Sequence, residues 1–246
     1  MRRWQKQIEN RAVAAIISFL VGLGLAAGGA RADERLAWTG GVALGIRDRV
    51  EVSYARQRFD IGEVVPGVTL GQDIAGVKVK LLGDAIFDQD RWWPQVSAGL
   101  LYKSTKDFGG VPAALGAHDG HGTDFYLAAT KVWLAGLAGH NVLLDVTLRH
   151  SNANQYGLVG FGGPNAAEWR PEGSLAVWLA DQVLLGVEYR GKHGGLATPE
   201  EGSAKDAFIA WEPTRYFSVV LAYVNLGPVA FQSDQRGPYL SFTLMR

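Results

Sequence analysis

Cysteine is absent from the 246 residues. That excludes a disulfide framework, a CxxC zinc site, a thiol nucleophile and a lipid-modified N-terminal Cys. Net charge is absent too, since 24 Lys and Arg meet 24 Asp and Glu. The balance conceals a split, because residues 1–32 carry Arg2, Arg3, Lys6, Arg11 and Arg31 against Glu9. Without them the chain is mildly acidic, at about −4, which argues against nucleic acid as a partner. Also missing beyond residue 33 are an apolar run long enough to be a spanning helix and any sustained helical period. What is present excludes disorder: 48% apolar residues with eight Trp and ten Phe can bury a large surface. The 32 glycines point to many turns and closely approaching strands.

The N-terminus has the three parts of an export signal. Basic residues up to Arg11 precede an apolar and small-residue run over 12–27, followed by Ala30-Arg31-Ala32, an A-x-A cleavage pattern. Cleavage near Ala32 leaves one domain, 33–246. The run falls short of the ~20 residues a bilayer-spanning helix needs, so a mature part that enters a membrane must do so as a closed barrel.

After residue 33 the pattern has period two. Val77, Val79 and Leu81 alternate with Lys78 and Lys80, and Val142, Leu144, Val146 and Leu148 with Asp145, Thr147 and Arg149. Glu51, Glu172, Glu188 and Arg190 take the polar side of similar segments. Strands are predicted at 36–46, 49–59, 73–83, 93–103, 123–134, 141–150, 171–180, 183–191, 205–212, 216–226 and 236–246. The joins between them are expected to run short, long, short, long, as in an outer-membrane barrel. Trp93, Tyr102, Trp133, Trp169, Trp211 and Tyr223 fall near strand ends, where an interfacial aromatic girdle lies. The predicted fold is all-β, an antiparallel up-and-down transmembrane β-barrel of about 10–12 strands. Eleven is an odd count, so either residues 36–46 are not a wall strand or one strand is missing.

Four stretches carry a family resemblance. They are Arg49-Val-Glu-Val-Ser-Tyr-Ala-Arg-Gln-Arg-Phe59, Gly71-Gln-Asp-Ile-Ala-Gly-Val-Lys-Val-Lys-Leu-Leu-Gly-Asp84, Gly122-Thr-Asp-Phe-Tyr-Leu-Ala-Ala-Thr-Lys131 and Ala153-Asn-Gln-Tyr-Gly-Leu-Val-Gly-Phe-Gly162. Over about residues 43–246 the chain resembles a family of proteobacterial outer-membrane proteins that carries a domain-of-unknown-function label. The resemblance implies an envelope barrel and no assigned reaction. Family members have further strand-forming sequence between the segments matching Thr39-Gly40-Gly41 and Ala43-Leu44-Gly45, which this chain joins directly, so an incomplete N-terminal part is implied. Outer-membrane barrels usually end in an aromatic residue. Here Leu240, Phe242 and Leu244 alternate correctly but Arg246 is last.

Three groups of residues bear on chemistry. Arg149-His150-Ser151-Asn152-Ala153 resembles the His-x-Ser-Asn-Ala segment of outer-membrane lipid A deacylases, but adjacent residues of a strand point to opposite faces, which separates base from nucleophile. His118, Asp119, His121 and Asp124 are close enough in sequence to suggest a divalent cation, although no register fixes their geometry, and no metal is assigned. Gly160-Phe-Gly-Gly163 neither follows a strand tightly nor opens a helix, so it is no phosphate cradle. The third group faces the expected lumen: the acids Glu51, Asp124, Asp145, Glu172, Glu188 and Asp206, with the bases Lys78, Lys80, Lys103, Arg149 and Arg190. Mixed charge of this kind either conducts ions or pairs and fills the interior. The expectation is an outer-membrane barrel without catalysis or cofactor, either a narrow passage or a structural envelope protein. Its partners would be outer-membrane lipid and the barrel-assembly machinery, with any small-molecule or ion substrate unassigned. The alternatives are a lipid hydrolase using His150 and Ser151, and a soluble periplasmic lipocalin-like binding barrel.

Overall fold

The computed structural model describes residues 37–61, 66–163, 167–192, 196, 202–229 and 232–245. The expected leader, 1–32, lies outside the described residues. Alternating apolar and polar side chains produce eleven strands: β1 (Ala37–Ile46), β2 (Val50–Asp60), β3 (Thr69–Leu82), β4 (Gln95–Thr105), β5 (His121–Leu137), β6 (His140–Ser151), β7 (Glu168–Ala180), β8 (Val183–Arg190), β9 (Ala204–Thr214), β10 (Phe217–Val229) and β11 (Gln232–Leu244). Each pairs antiparallel with the next, in the order β1 to β11. The result is one up-and-down sheet curled into a half-barrel, as the period-two pattern predicts. The described helical structure is one short turn, α1 (Val111–Ala114), and a 3-10 turn at Asn154–Gly157. No described helix is long and apolar enough to cross a membrane.

The two faces of the sheet differ sharply. Its convex face exposes Val52, Val77, Leu100, Leu127, Val146, Leu175, Val187, Ile209, Leu221 and Leu240. The concave face buries polar and apolar residues together, and one apolar cluster reaches from Ala37 on β1 to Tyr239 on β11.

Two joins depart from the expected lengths. Residues 83–94 make a long turn where a short one was expected, built on Asp84, whose Oδ1 accepts from the amides of Ile86 and Phe87 at 2.9 and 2.8 Å. Between β10 and β11 the expected long loop over 227–235 is instead mostly strand, and pairing continues to Val229 opposite Gln232. Gly227 and Pro228, which suggested a loop, fall at register shifts between Asn225 and Val229, where Pro228 is left out of the ladder to which its missing N–H could not donate.

β1 is the exception to the buried pattern. Beyond the buried Ala37 its concave side carries Thr39, Gly41, Ala43 and Gly45, too small to reach the core, and its convex Val42 is 73% exposed. Within the described sheet it has one hydrogen-bonded neighbour, β2. Edge strands with little packing open at low free-energy cost. Amide exchange at Val42 and Leu44 is therefore expected to be faster than at Leu185 and Val187 in β8 by about two orders of magnitude or more. Equal protection in β1 and β8 would show that β1 has a second partner.

Candidate functional site: the charged concave face

All eleven charges expected to line the lumen stand on the concave face. Alternation puts them there, and antiparallel register then sets them side by side. Glu51 on β2 lies directly opposite Lys78 on β3. Lys80 reaches the rim, where its Nζ lies 2.5 Å from Asp48 and 3.8 Å from Asp84. Asp145 on β6 accepts hydrogen bonds from the hydroxyls of Thr130 (2.6 Å) and Thr147 (3.1 Å).

The others form a ladder whose sign alternates from β4 to β7. Lys103 on β4 lies 2.7 Å from Asp124 on β5. Arg149 on β6 stands 3.7 Å from Asp124 and donates two hydrogen bonds, of 2.7 and 2.8 Å, to Glu172 on β7. Arg190 on β8 is in register with Glu172 and lies 3.8 Å from Glu188 of its own strand. Asp206 on β9 faces Glu188 across the ladder. From β4 to β7 each charge has its opposite on the adjoining strand, and the fork of Arg149 matches the Glu172 carboxylate. The Arg149 guanidinium also lies over the Tyr126 ring, 5.3 Å from its centroid. That ring fits because position 99 is glycine: a Cβ there would come within 2.4 Å of it.

An inward-folded segment, the plug, packs against the long-join end of this face. Sequence alternation stops at Ser151, and residues 152–163 turn inward instead of forming an external loop. Phe161 is 0% exposed, and Leu158 and Val159 are buried beside it. Phe161 exchanges backbone bonds with Asp119, its N–H donating at 2.8 Å and its carbonyl accepting at 3.0 Å. Its ring packs over Gly122, where a Cβ would sit 2.1 Å from a ring carbon. The plug is bonded to the ladder: Lys103 Nζ donates to the Tyr156 carbonyl at 2.9 Å, and Thr105 Oγ1 to that of Gly157 at 2.6 Å. The backbone follows a left-handed path at Gln155 and Tyr156 (φ 49° and 60°) before Gly157, a conformation that costs a non-glycine residue about 1 kcal/mol or more and persists because the surroundings hold it.

Other residues fall outside the sequence reading. Arg170 is buried and donates to the Ser151 carbonyl at 2.9 Å. It shares a face with Glu172, and a strand started two residues earlier would have revealed it. Gln57 and Gln72 are joined by a 2.6 Å side-chain bond under the plug. Lys131 lies beneath the 83–94 turn, donating to the carbonyls of Asp88 and Arg91 at 2.5 and 3.0 Å. The plug left a trace in the sequence as well, since 152–163 carries no charge but contains Leu158, Val159 and Phe161.

The expected cation cluster is not assembled. Asp124 points inward to Lys103 and Ser151, while His121 lies on the convex side, stacked with Tyr102 at 6.4 Å. Among the described residues no three His, Asp or Glu side chains are placed to hold a metal ion. Strand alternation is the reason, because His121 and Asp124 are an odd number of positions apart. His150 and Ser151 also diverge. The imidazole packs on Trp169 with centroids 4.9 Å apart, and Ser151 Oγ is buried, donating to Asp124 and accepting from the Ala153 amide at 2.9 Å.

A family model described as protein of unknown function (DUF3034) matches residues 30–243. The chain belongs to that family. No curated protein and no solved structure matched it. The matched span takes in β1 to β10, all of β11 but Leu244, the ladder and the plug.

Removing one member of a buried ion pair leaves the other uncompensated, at a cost of about 3–5 kcal/mol, whereas replacing both by apolar groups is often neutral. Glu172→Gln is therefore expected to lower unfolding free energy by about that amount, and Arg149→Met combined with Glu172→Leu to restore most of it. Urea titrations followed by Trp fluorescence measure both. A loss below about 1 kcal/mol in the single variant would mean that water reaches the pair.

Proposed function

We propose that the chain is an exported outer-membrane β-barrel with a self-filled interior, serving as a structural component of the envelope. One observation carries this reading: the sheet exposes its aliphatic side chains and buries its ion pairs. In water that arrangement is backwards, because contiguous exposed apolar surface of this extent is unfavourable. In a bilayer it is required, with apolar side chains outward and polar ones inward. Aromatic residues support it at both ends of the wall. Trp38, Tyr102, Trp169 and Tyr189 are exposed near the long-join ends of their strands, and Trp133, Trp211 and Phe242 near the short-join ends. In lipid the outer edges of β1 and β11, which have no hydrogen-bonded neighbour within the described sheet, must be covered. Lipid and the barrel-assembly machinery are the partners this reading implies.

Filling of the interior favours a structural role over transport. A selective pore lines an open lumen with an excess of one charge. Here the charges neutralise one another, and the plug occupies the mouth. The expected outcome is a mature protein that starts at Asp33, sediments with outer membranes and gives at most a small conductance in planar bilayers. Phe161→Ala should raise that conductance by loosening the plug. Recovery in the soluble periplasm would defeat the membrane assignment, and a large, stable wild-type current the sealed interior.

Catalysis forms no part of the proposal. Ser151 donates to a carboxylate already paired with Lys103, and His150 is across the sheet from it. Ser151→Ala and His150→Ala are each expected to leave lipid A acylation in intact cells unchanged. Loss of a deacylated product in either variant would restore the hydrolase.

A further inference from the structure

The convex face is not apolar throughout. Near the long-join end of β2 to β5, Arg56, Asp73, Ser104 and His121 stand in register as one row across four strands. Two residues nearer the middle, the parallel row contains Tyr54, Ala75 and Tyr102. An aromatic row with a charged row just beyond it is the order in which a wall strand passes from hydrocarbon to headgroups. Arg56 donates to both oxygens of Asp73, at 2.6 and 3.1 Å, and Lys106 Nζ lies 2.5 Å from the same carboxylate. The Lys106 stem lies across Gly71 of β3, where a Cβ would make ordinary contact with it at 3.6 Å. Arg58, in register with Gly71, extends over the Trp38 ring, 5.6 Å from its centroid.

Two cations, Arg56 and Lys106, thus share one carboxylate. Asp73 carries one negative charge against the two positive charges of Arg56 and Lys106, at the depth where lipid phosphates lie. Asp73 itself serves to align Arg56 and Lys106, leaving other N–H groups of both free to donate outward. Arg58 supplies a third cation one step further towards the loops. Guanidinium and ammonium groups arranged in this way match a phosphate monoester, which offers several acceptor oxygens and more than one negative charge.

We propose that Arg56, Arg58 and Lys106 form a binding site for the phosphates of lipid A, the phosphorylated glycolipid of the outer leaflet. The proposal rests on the membrane reading above, which turns the long joins towards the cell exterior. It adds a defined ligand at a defined place on the wall.

Native mass spectrometry of the full chain in detergent micelles tests it. The probes are lipid A with both phosphates, the same lipid dephosphorylated, phosphatidylglycerol and inorganic phosphate. One equivalent of phosphorylated lipid A is expected to bind, and Arg58→Gln with Lys106→Gln is expected to weaken it by about tenfold per cation removed. Lys205→Gln, on the convex face of β9, should leave binding unchanged. Equal binding of the dephosphorylated lipid, or no loss in the double variant, would overturn the site. Equal binding of phosphatidylglycerol would reduce it to a general anionic-lipid contact, and displacement by equimolar inorganic phosphate to a free-phosphate contact. Either result rejects lipid A as the ligand. These failures are distinct from that of the membrane reading, which would appear as a chain that stays soluble and monomeric without detergent.

Discussion

Charge alternation from strand to strand is the constraint on which the rest of this structure depends. Lys103, Asp124, Arg149 and Glu172 belong to four consecutive strands and meet only if every register between them is correct. A one-residue slip turns a whole strand over. It would place a charge on the convex face and leave its partners buried without compensation. An apolar core has no comparable requirement, because aliphatic side chains can repack around a shifted neighbour at modest cost. Relative to an apolar replacement the ladder adds little net stability, but it makes competing registers expensive.

The plug extends the same logic into the loops. Lys103 has two roles, pairing with Asp124 and donating to the Tyr156 carbonyl, so the position of 152–163 is tied to the strands below it. Ser151 and Arg170 complete the tie, one through Asp124 and the amide of Ala153, the other through the Ser151 carbonyl. Phe161 then closes the mouth over Gly122. Two residues in left-handed conformation are tolerated at the turn because these bonds surround it.

The convex face obeys a different rule, because its surroundings are set by what lies outside the chain. Aliphatic residues occupy mid-strand positions, aromatics the ends, and the Arg56–Asp73–Lys106 group one sector of the long-join rim. Lys131 fits this division as well. It stands on the convex side, but the 83–94 turn folds over it and supplies carbonyl acceptors. β1 follows the rule only in part, with apolar Val42, Leu44 and Ile46 outside and, after the buried Ala37, small exposed residues inside.

Period two in the sequence alone determined the strands, their order and which side chains share a face, because alternation follows from the covalent geometry of an extended chain. Eleven strands and the inward set from Glu51 to Asp206 were legible for that reason. So was the divergence of His150 from Ser151. Three features were decided only by the tertiary structure. Partner choice within the ladder depends on register between strands distant in sequence, and it gave Glu172 rather than Asp124 the fork of Arg149. The inward path of 152–163 depends on a cavity that exists only once the sheet has curled, although the charge-free composition hinted at burial. The cation cluster of His118, Asp119, His121 and Asp124 was close in sequence and separate in space, since neighbours along a strand face opposite ways and only the fold decides what each face meets.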